Sequence, residues 1–266
     1  MISQPYEIGR FVYLPNRYVV CFTIVMRGDV LGSADALMHI LEVFRENEIS
    51  LIHMKATRPI PGRPLVVMVF ADFTGREHEV EIVRDQIMEM NGVEKVYVTM
   101  PLFRGLTVED VLFPLMLFDE RVVIFPRTFY EVMVKRLMEI FKSGYIAMLY
   151  YIGFEIGKEL FKSHVKIVGH DVEKLSTLCE VFFRVLGYGI LHIIDIDFRG
   201  RRATVRIIDS FECMMHGDSK RPSSHFIRGI LAGWFSELFE EKVKAVEVKC
   251  IAQGHEYCEF RVLPES

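Results

Sequence analysis

The chain lacks the long apolar run that a membrane span requires. Its longest apolar stretches, such as Ile146 to Phe154, fall far short of the roughly 20 residues needed to cross a bilayer. Met1 to Asn16 places charges and prolines where a secretory signal needs an uninterrupted apolar core, so export is not expected. Cysteine is scarce: five in 266 residues, an odd number, unlike the disulfide framework of a small secreted domain. A reduced, cytoplasmic setting is expected instead, in which clustered cysteine means metal or redox chemistry. Charge of one sign is also lacking. A formal net charge of -4 gives no global drive toward nucleic acid or an anionic membrane, and neither is expected as a direct partner. No helix-turn-helix, Gly-rich phosphate loop, nucleophile paired with a base, internal repeat or low-complexity segment is found, which argues against the commoner kinds of catalysis.

What is present, 51% hydrophobic and 26% charged residues, belongs to a globular protein with a well-filled core. At 266 residues, two domains are expected, since domains usually hold about 100–150 residues. Tyr18 to Met26 is β-branched and aromatic, and Leu37, Ile40, Leu41 and Phe44 then recur at helix spacing. Ile49 to Ala56 reads as a strand, followed by a turn marked by Pro59, Pro61, Gly62 and Pro64 and the apolar strand Leu65 to Phe70. Val80, Val83, Ile87 and Met90 form a second helical stripe, and Val93 to Thr99 returns as a strand. The order βαββαβ predicts a four-stranded antiparallel sheet with both helices on one face, the ferredoxin-like arrangement.

With the tracts LEVFRENEISLIHM and NGVEKVYVT, residues 17–100 resemble an ACT domain, a family of small regulatory modules that bind effectors and pair through their sheets. The resemblance implies a homodimer. It departs at the effector site, where the glycine expected before the first helix is replaced by Asp35, with Gly28 and Gly32 nearby. Dimerisation or scaffolding is therefore the expected role of this domain, 1–100. Residues 101–126 read as a connector with a short apolar piece, Val111 to Phe118, and a charged turn, Asp119 to Arg121.

The second domain, 127–266, is expected to be α+β, a helical layer on an antiparallel sheet. Thr128 can cap a helix carrying Val132, Met133, Leu137 and Ile140; Gly144 interrupts it, and a second helix runs from Tyr145 to about Phe161. Gly153 and Gly157 share a face of that helix, which points to the close approach of another backbone or of a ligand. Asp171 to Leu186 is a third helix, with Leu175, Leu178, Phe182 and Val185 on its buried side. Strands Gly189 to Phe198 and Ala203 to Ser210 flank Arg199-Gly200-Arg201-Arg202, read as a solvated hairpin tip. Pro222 opens a last helix with Phe226, Ile230, Trp234 and Leu238, and strands Val243 to Cys250 and Tyr257 to Leu263 follow.

The last two strands hold Glu247, Cys250 and Cys258 with Gly254 in the turn between the cysteines. Thiolates on adjacent antiparallel strands joined by a tight turn can converge on one tetrahedral ion, and a nearby carboxylate can be a third ligand. Cysteines as buried hydrophobes, or a Cys250–Cys258 disulfide, are the alternatives. Cys21 and Cys179 sit inside apolar patterns and are read as core.

The tract FIRGILAGWFSELFEEKVKAVEVKCIAQGHEYCEF, with the earlier LYYIGFEIGKELF, resembles the 4-vinyl-reductase-type domain over about residues 125–262. That family includes sensor halves of aromatic-responsive activators and tetrapyrrole-pathway proteins, and a related fold occurs in vesicle-tethering subunits. The resemblance implies a zinc ion held by a Glu and three Cys, three of which positions are Glu247, Cys250 and Cys258. The fourth falls on Ser224, so Cys213, in SFECMMHG, is the expected substitute, with His225 next and His216 and His255 behind. It also implies a small-molecule pocket between helices and sheet, opening between the helix of Gly153 and Gly157 and the helix of Trp234. Tyr150, Phe154, Phe182, Phe226 and Trp234 are its candidate lining residues, or plain core. The function implied is a zinc-containing sensor of a small apolar molecule that acts through a partner protein. An enzyme or enzyme accessory of tetrapyrrole or aromatic metabolism, and a structural adaptor, are the alternatives.

Overall fold

In a computed structural model of the chain the described residues are 7–28, 34–58, 63–103, 105–117, 120–217, 219 and 221–265. Gly32, the turn residues Pro59, Pro61 and Gly62, and Phe118 and Asp119 lie outside them. The chain divides into two compact units, Met1–Val123 and Ile124–Ser266, and is of mixed α and β structure with antiparallel sheets.

The first unit runs β1 (Phe11–Tyr13), β2 (Val19–Met26), α1 (Ala34–Glu46), β3 (Ser50–Ala56), β4 (Leu65–Asp72), α2 (Val80–Met88) and β5 (Val93–Thr99). Four of these strands pair antiparallel in the order β3-β4-β2-β5. The central strand β2 is buried on both faces, which is why VVCFTIVM is a continuous apolar run instead of an alternating one. Val20, Phe22, Ile24 and Met26 meet Ile40 and Phe44 of α1 and Val83 and Ile87 of α2. Val19 and Cys21 face the other way, with Met68, Phe70 and Val12 of β1. Each large side chain fully buried here contributes about 1.5–3 kcal/mol.

The stretch read as a connector is part of this unit as far as Val123. Strand β6 (Leu106–Val108) pairs with β1, and the Thr107 hydroxyl donates to the Val19 carbonyl. Glu109, 2% exposed, accepts from Arg10 Nη2 at 2.7 Å and from the Val111 and Leu112 amides at 2.7 and 2.6 Å. Arg10 and Glu109 are 99 residues apart, a pairing that local pattern cannot signal. A small hairpin, β7 (Met116–Leu117) with β8 (Glu120–Arg121), follows.

The second unit opens with α3 (Arg127–Glu131), a wide turn over 132–136 and the long α4 (Leu137–Val168). Pro126, not Thr128, stands at the N-cap of α3, and it makes no side-chain cap bond. The interruption expected at Gly144 falls at Lys142, whose φ is 51°. In α5 (Val172–Val185) the Asp171 carboxylate caps the N-terminus by accepting from the Lys174 amide at 3.1 Å. Then come β9 (Ile190–Asp197), β10 (Arg202–Ile208), the short α6 (Phe211–His216), α7 (His225–Phe239), β11 (Val243–Lys249) and β12 (Cys258–Pro264). The sheet order is β11-β12-β10-β9, antiparallel throughout. At the hairpin tip the Asp197 carboxylate accepts from the Gly200 amide at 2.9 Å, and Arg201 pairs with Glu241 at 2.7 Å.

Helix α7 is buried nearly all round because the sheet covers one side and α4 the other. The two helices cross on paired glycines. A Cβ at Gly153 or Gly157 would run into the Phe226 or Ile230 carbonyl, and one at Gly229 or Gly233 into the Tyr150 or Phe154 carbonyl. Only residues without a side chain permit backbones to come so close. What approaches Gly153 and Gly157 is therefore the backbone of α7, and the opening expected between these helices is closed at the crossing.

Candidate metal centre

Four donors converge at one end of the second sheet. Cys213 comes from α6, Glu247 from β11, Cys250 from just beyond β11, and Cys258 opens β12. A strict period of two would set Glu247 and Cys250, three residues apart, on opposite faces. A register shift between Glu247 and Lys249 inserts one extra residue against β12 and turns Cys250 back to the side of Glu247. A short turn, Ile251–Gln253, and Gly254 at φ 87° then return the chain to Cys258.

Cys213, Cys250, Cys258 and Glu247 are 1%, 0%, 0% and 6% exposed, and one donor atom from each lies within 4.8 Å of all the others. The Cys213 Sγ is 3.4 Å from the Cys250 Sγ, 3.4 Å from the Cys258 Sγ and 3.5 Å from Glu247 Oε1. The thiols are free. A tetrahedral ion with bonds of about 2.3 Å to sulfur and about 2.0 Å to oxygen places sulfurs ~3.8 Å apart and sulfur and oxygen ~3.5 Å apart. The sulfur–oxygen separation matches, and the sulfurs need to open by only a few tenths of an ångström. The four residues thus form a cluster that could hold a metal ion.

Ser224, where the resemblance places a cysteine, stands beside the cluster. Its hydroxyl is 2.7 Å from the Cys213 Sγ and donates to Glu247 Oε1 at 2.9 Å, while its amide donates to Oε2 at 3.0 Å. Cys213 supplies the third sulfur from the neighbouring α6. Ser223 Oγ lies 3.6 Å from the Cys250 Sγ, and the Ile251 amide donates to the Cys258 Sγ at 3.5 Å. Burial pushes the Glu247 carboxyl up to about 7. Mutual hydrogen bonds push the Cys213 thiol up and hold that of Cys250 low, as crowded thiols without a cation must do.

His225 is not one of the four donors. Its amide donates to Glu212 Oε1 at 2.8 Å, and burial, followed by the Arg228 charge, pushes its ring down to about 4. Burial also lowers His216, and His255 is exposed on the turn. Glu212 itself, wholly buried, accepts from the His225, Phe226 and Ile227 amides at 2.8, 2.9 and 2.9 Å and so caps α7. Burial pushes its carboxyl up to about 7, with those three amides pulling the other way. Sequence reading passed over this residue, although a lone carboxylate beside Cys213 in an apolar segment was the available signal.

The aromatic candidates separate into groups. Trp234, 1% exposed, packs edge-on to Phe161 at 5.3 Å and lies near His164, which faces Phe182 at 4.8 Å. Phe226 lies with Tyr188 and Phe211, at 6.2 and 6.4 Å. Tyr150 neighbours Phe154 at 6.4 Å and has the Arg228 guanidinium 5.0 Å above its ring. A surface groove of about 410 Å³ runs between α5 and β9, lined by residues such as Glu173, Thr177, Glu180 and Ile194 and by none of these aromatics.

Residues 203–264 match the 4-vinyl-reductase domain family. The match covers β10 to β12 and therefore all four donors. The chain is similar to two uncharacterized proteins of Methanocaldococcus jannaschii, MJ0150 and MJ1460. It is 30% identical to MJ0150 over 120 residues, 45% of this chain and 65% of that protein. It is 30% identical to MJ1460 over 114 residues, 43% of this chain and 64% of that protein. The similarity thus spans less than two thirds of either relative's length. Among solved structures, the phenol-responsive sensory domain of the transcription activator PoxR with phenol is 20% identical, with 56% of this chain and 79% of that chain covered and a TM-score of 0.49. A vinyl-4-reductase family protein from Methanocaldococcus jannaschii is 23% identical, with 55% and 85% covered and a TM-score of 0.39. Among the described residues no helix is long and apolar enough to cross a membrane.

Proposed function

We propose that this protein is a non-catalytic small-molecule sensor whose second unit binds a largely apolar ligand and holds one structural zinc ion on Cys213, Glu247, Cys250 and Cys258. The observation that carries this reading is the convergence of four buried donors at near-tetrahedral separations. Four protein ligands fill the shell of zinc and leave no position for a reacting water, the pattern of a structural ion. Zinc bound there supplies a fixed cross-link. The chain's own residues carry its effect outward: Ser224 orients the Glu247 carboxylate, and Glu212, next to Cys213, caps α7. The match of residues 203–264 to the 4-vinyl-reductase domain supports placing ligand recognition in this unit. Tyr150, Phe154, Phe182, Phe226 and Trp234 are the proposed lining, reached from a side other than the glycine crossing.

In the same proposal the first unit, ACT-like, pairs two copies into a homodimer, for which its edge strands β3 and β5 each have one free side within the sheet. The signal passes to a partner protein. Native mass spectrometry of protein purified without chelator from its own host tests the whole reading. A dimer with two zinc ions and a retained small molecule is expected. Metal-free monomer whose Trp234 emission and melting temperature ignore panels of aromatic and fatty-acid ligands would overturn it.

A further inference from the structure

His164 lies on α4 at 1% exposure, with Trp234 and Phe182 around its ring. The Trp234 indole Nε1 donates to His164 Nδ1 at 3.2 Å. A nitrogen that accepts carries no proton, and burial keeps the ring neutral by pushing its pKa down to about 4, so the proton sits on Nε2. Nε2 is buried without a hydrogen-bond partner. An N–H enclosed by apolar rings with nothing to accept it is costly, and a core position that served packing alone is better filled by Phe or Leu. The two ring nitrogens point to different sides. Since Nδ1 faces α7, the unsatisfied Nε2–H faces away from it, on the side of the ring not closed by the glycine crossing.

We infer that His164 is the polar recognition group of the ligand site in the second unit, donating its Nε2–H to a neutral oxygen acceptor on an otherwise apolar, ring-sized ligand. The inference rests on the sensor reading above. A carboxylate ligand is disfavoured, because a neutral imidazole among aromatic rings gives a desolvated charge no counter-ion. A pure hydrocarbon leaves the N–H as it is now, unsatisfied. A carbonyl, phenol or ether oxygen completes it, and Trp234, on the same imidazole, reports the event directly.

The test titrates the intact protein with isosteric pairs that differ only in C=O against C=CH2, acetophenone with α-methylstyrene and cyclohexanone with methylenecyclohexane, following Trp234 emission. The ketone of each pair is expected to bind roughly fivefold to tenfold tighter, the worth of one net hydrogen bond. His164→Leu is expected to erase that preference while keeping affinity for the alkene. Should that variant fail to fold, ¹⁵N NMR of the wild-type imidazole decides: an Nε2–H tautomer whose shift moves with the ketone and not with the alkene supports the inference. Equal binding of ketone and alkene, or a ketone preference that survives in His164→Leu, overturns it while the sensor reading stands. No response to either member of any pair, or to the wider ligand panels, removes both.

Discussion

The two units hold themselves together by different means. In the first, β2 is buried on both faces by apolar side chains, and its one deeply buried charge, Glu109, is already satisfied by Arg10 and two amides. In the second, the helix layer depends on four glycines that admit no side chain, and one end of the sheet brings three thiols and a carboxylate together in the dry interior. The first unit is complete as an apolar core. The second concentrates polar donors where only a cation can satisfy them all, and the difference predicts that metal matters to one unit and not to the other.

The strongest break in this comparison is steric. Gly233→Leu drives a side chain into the Phe154 carbonyl, so the second unit is expected to fail to fold, while amide hydrogen exchange of the first unit stays native. Cys258→Ser, or chelation, is expected to cost the second unit on the order of 5 kcal/mol, less than the roughly 10 kcal/mol of small zinc domains because its core remains. Exchange mapped by peptide should show the loss in α6, α7 and β11–β12. Phe22→Ala is the converse, costing about 3–5 kcal/mol in the first unit and leaving metal content unchanged. Glu212→Ala strands three amides of α7 and is expected to cost about 1–3 kcal/mol, read as a lower melting temperature of the second unit.

The smallest effect is in pH. His164 is held down to about 4 from an ordinary 6.5, so below 6.5 the unfolded chain takes up a proton that the folded one refuses. Stability of the second unit is therefore expected to fall between pH 6.5 and about 4, and His164→Leu should flatten that slope in melts recorded across the window.

Much of this was legible in the sequence where the pattern is local. The alternation of helical and strand periods placed α1, α2, α5 and α7 and the main strands of both sheets, and the Gly153–Gly157 pair announced a close approach. Its partner pair, Gly229 and Gly233, stands in FIRGILAGW at the same spacing and was open to the same reading. What escaped was non-local or irregular. The pairing of β1 with β6 joins distant segments, and α6 is six residues long, too short to show a period. The register shift beside Val248, which brings Cys250 to the side of Glu247, contradicts the strand period that any sequence reading must assume. Near the candidate site the motif residues Glu247, Cys250 and Cys258 were readable, whereas the positions of Cys213 and Ser224 depended on how α6 folds back.

The most direct test is the metal content of each unit's variants, measured by inductively coupled plasma mass spectrometry on protein prepared under reducing, chelator-free conditions. One zinc ion per chain in the wild type and in Phe22→Ala, and none in Cys258→Ser together with a lower melting temperature of the second unit, is the expected result. Wild-type protein without zinc, or a Cys258→Ser variant as stable as the wild type, would contradict the account and leave the four donors as ordinary buried residues.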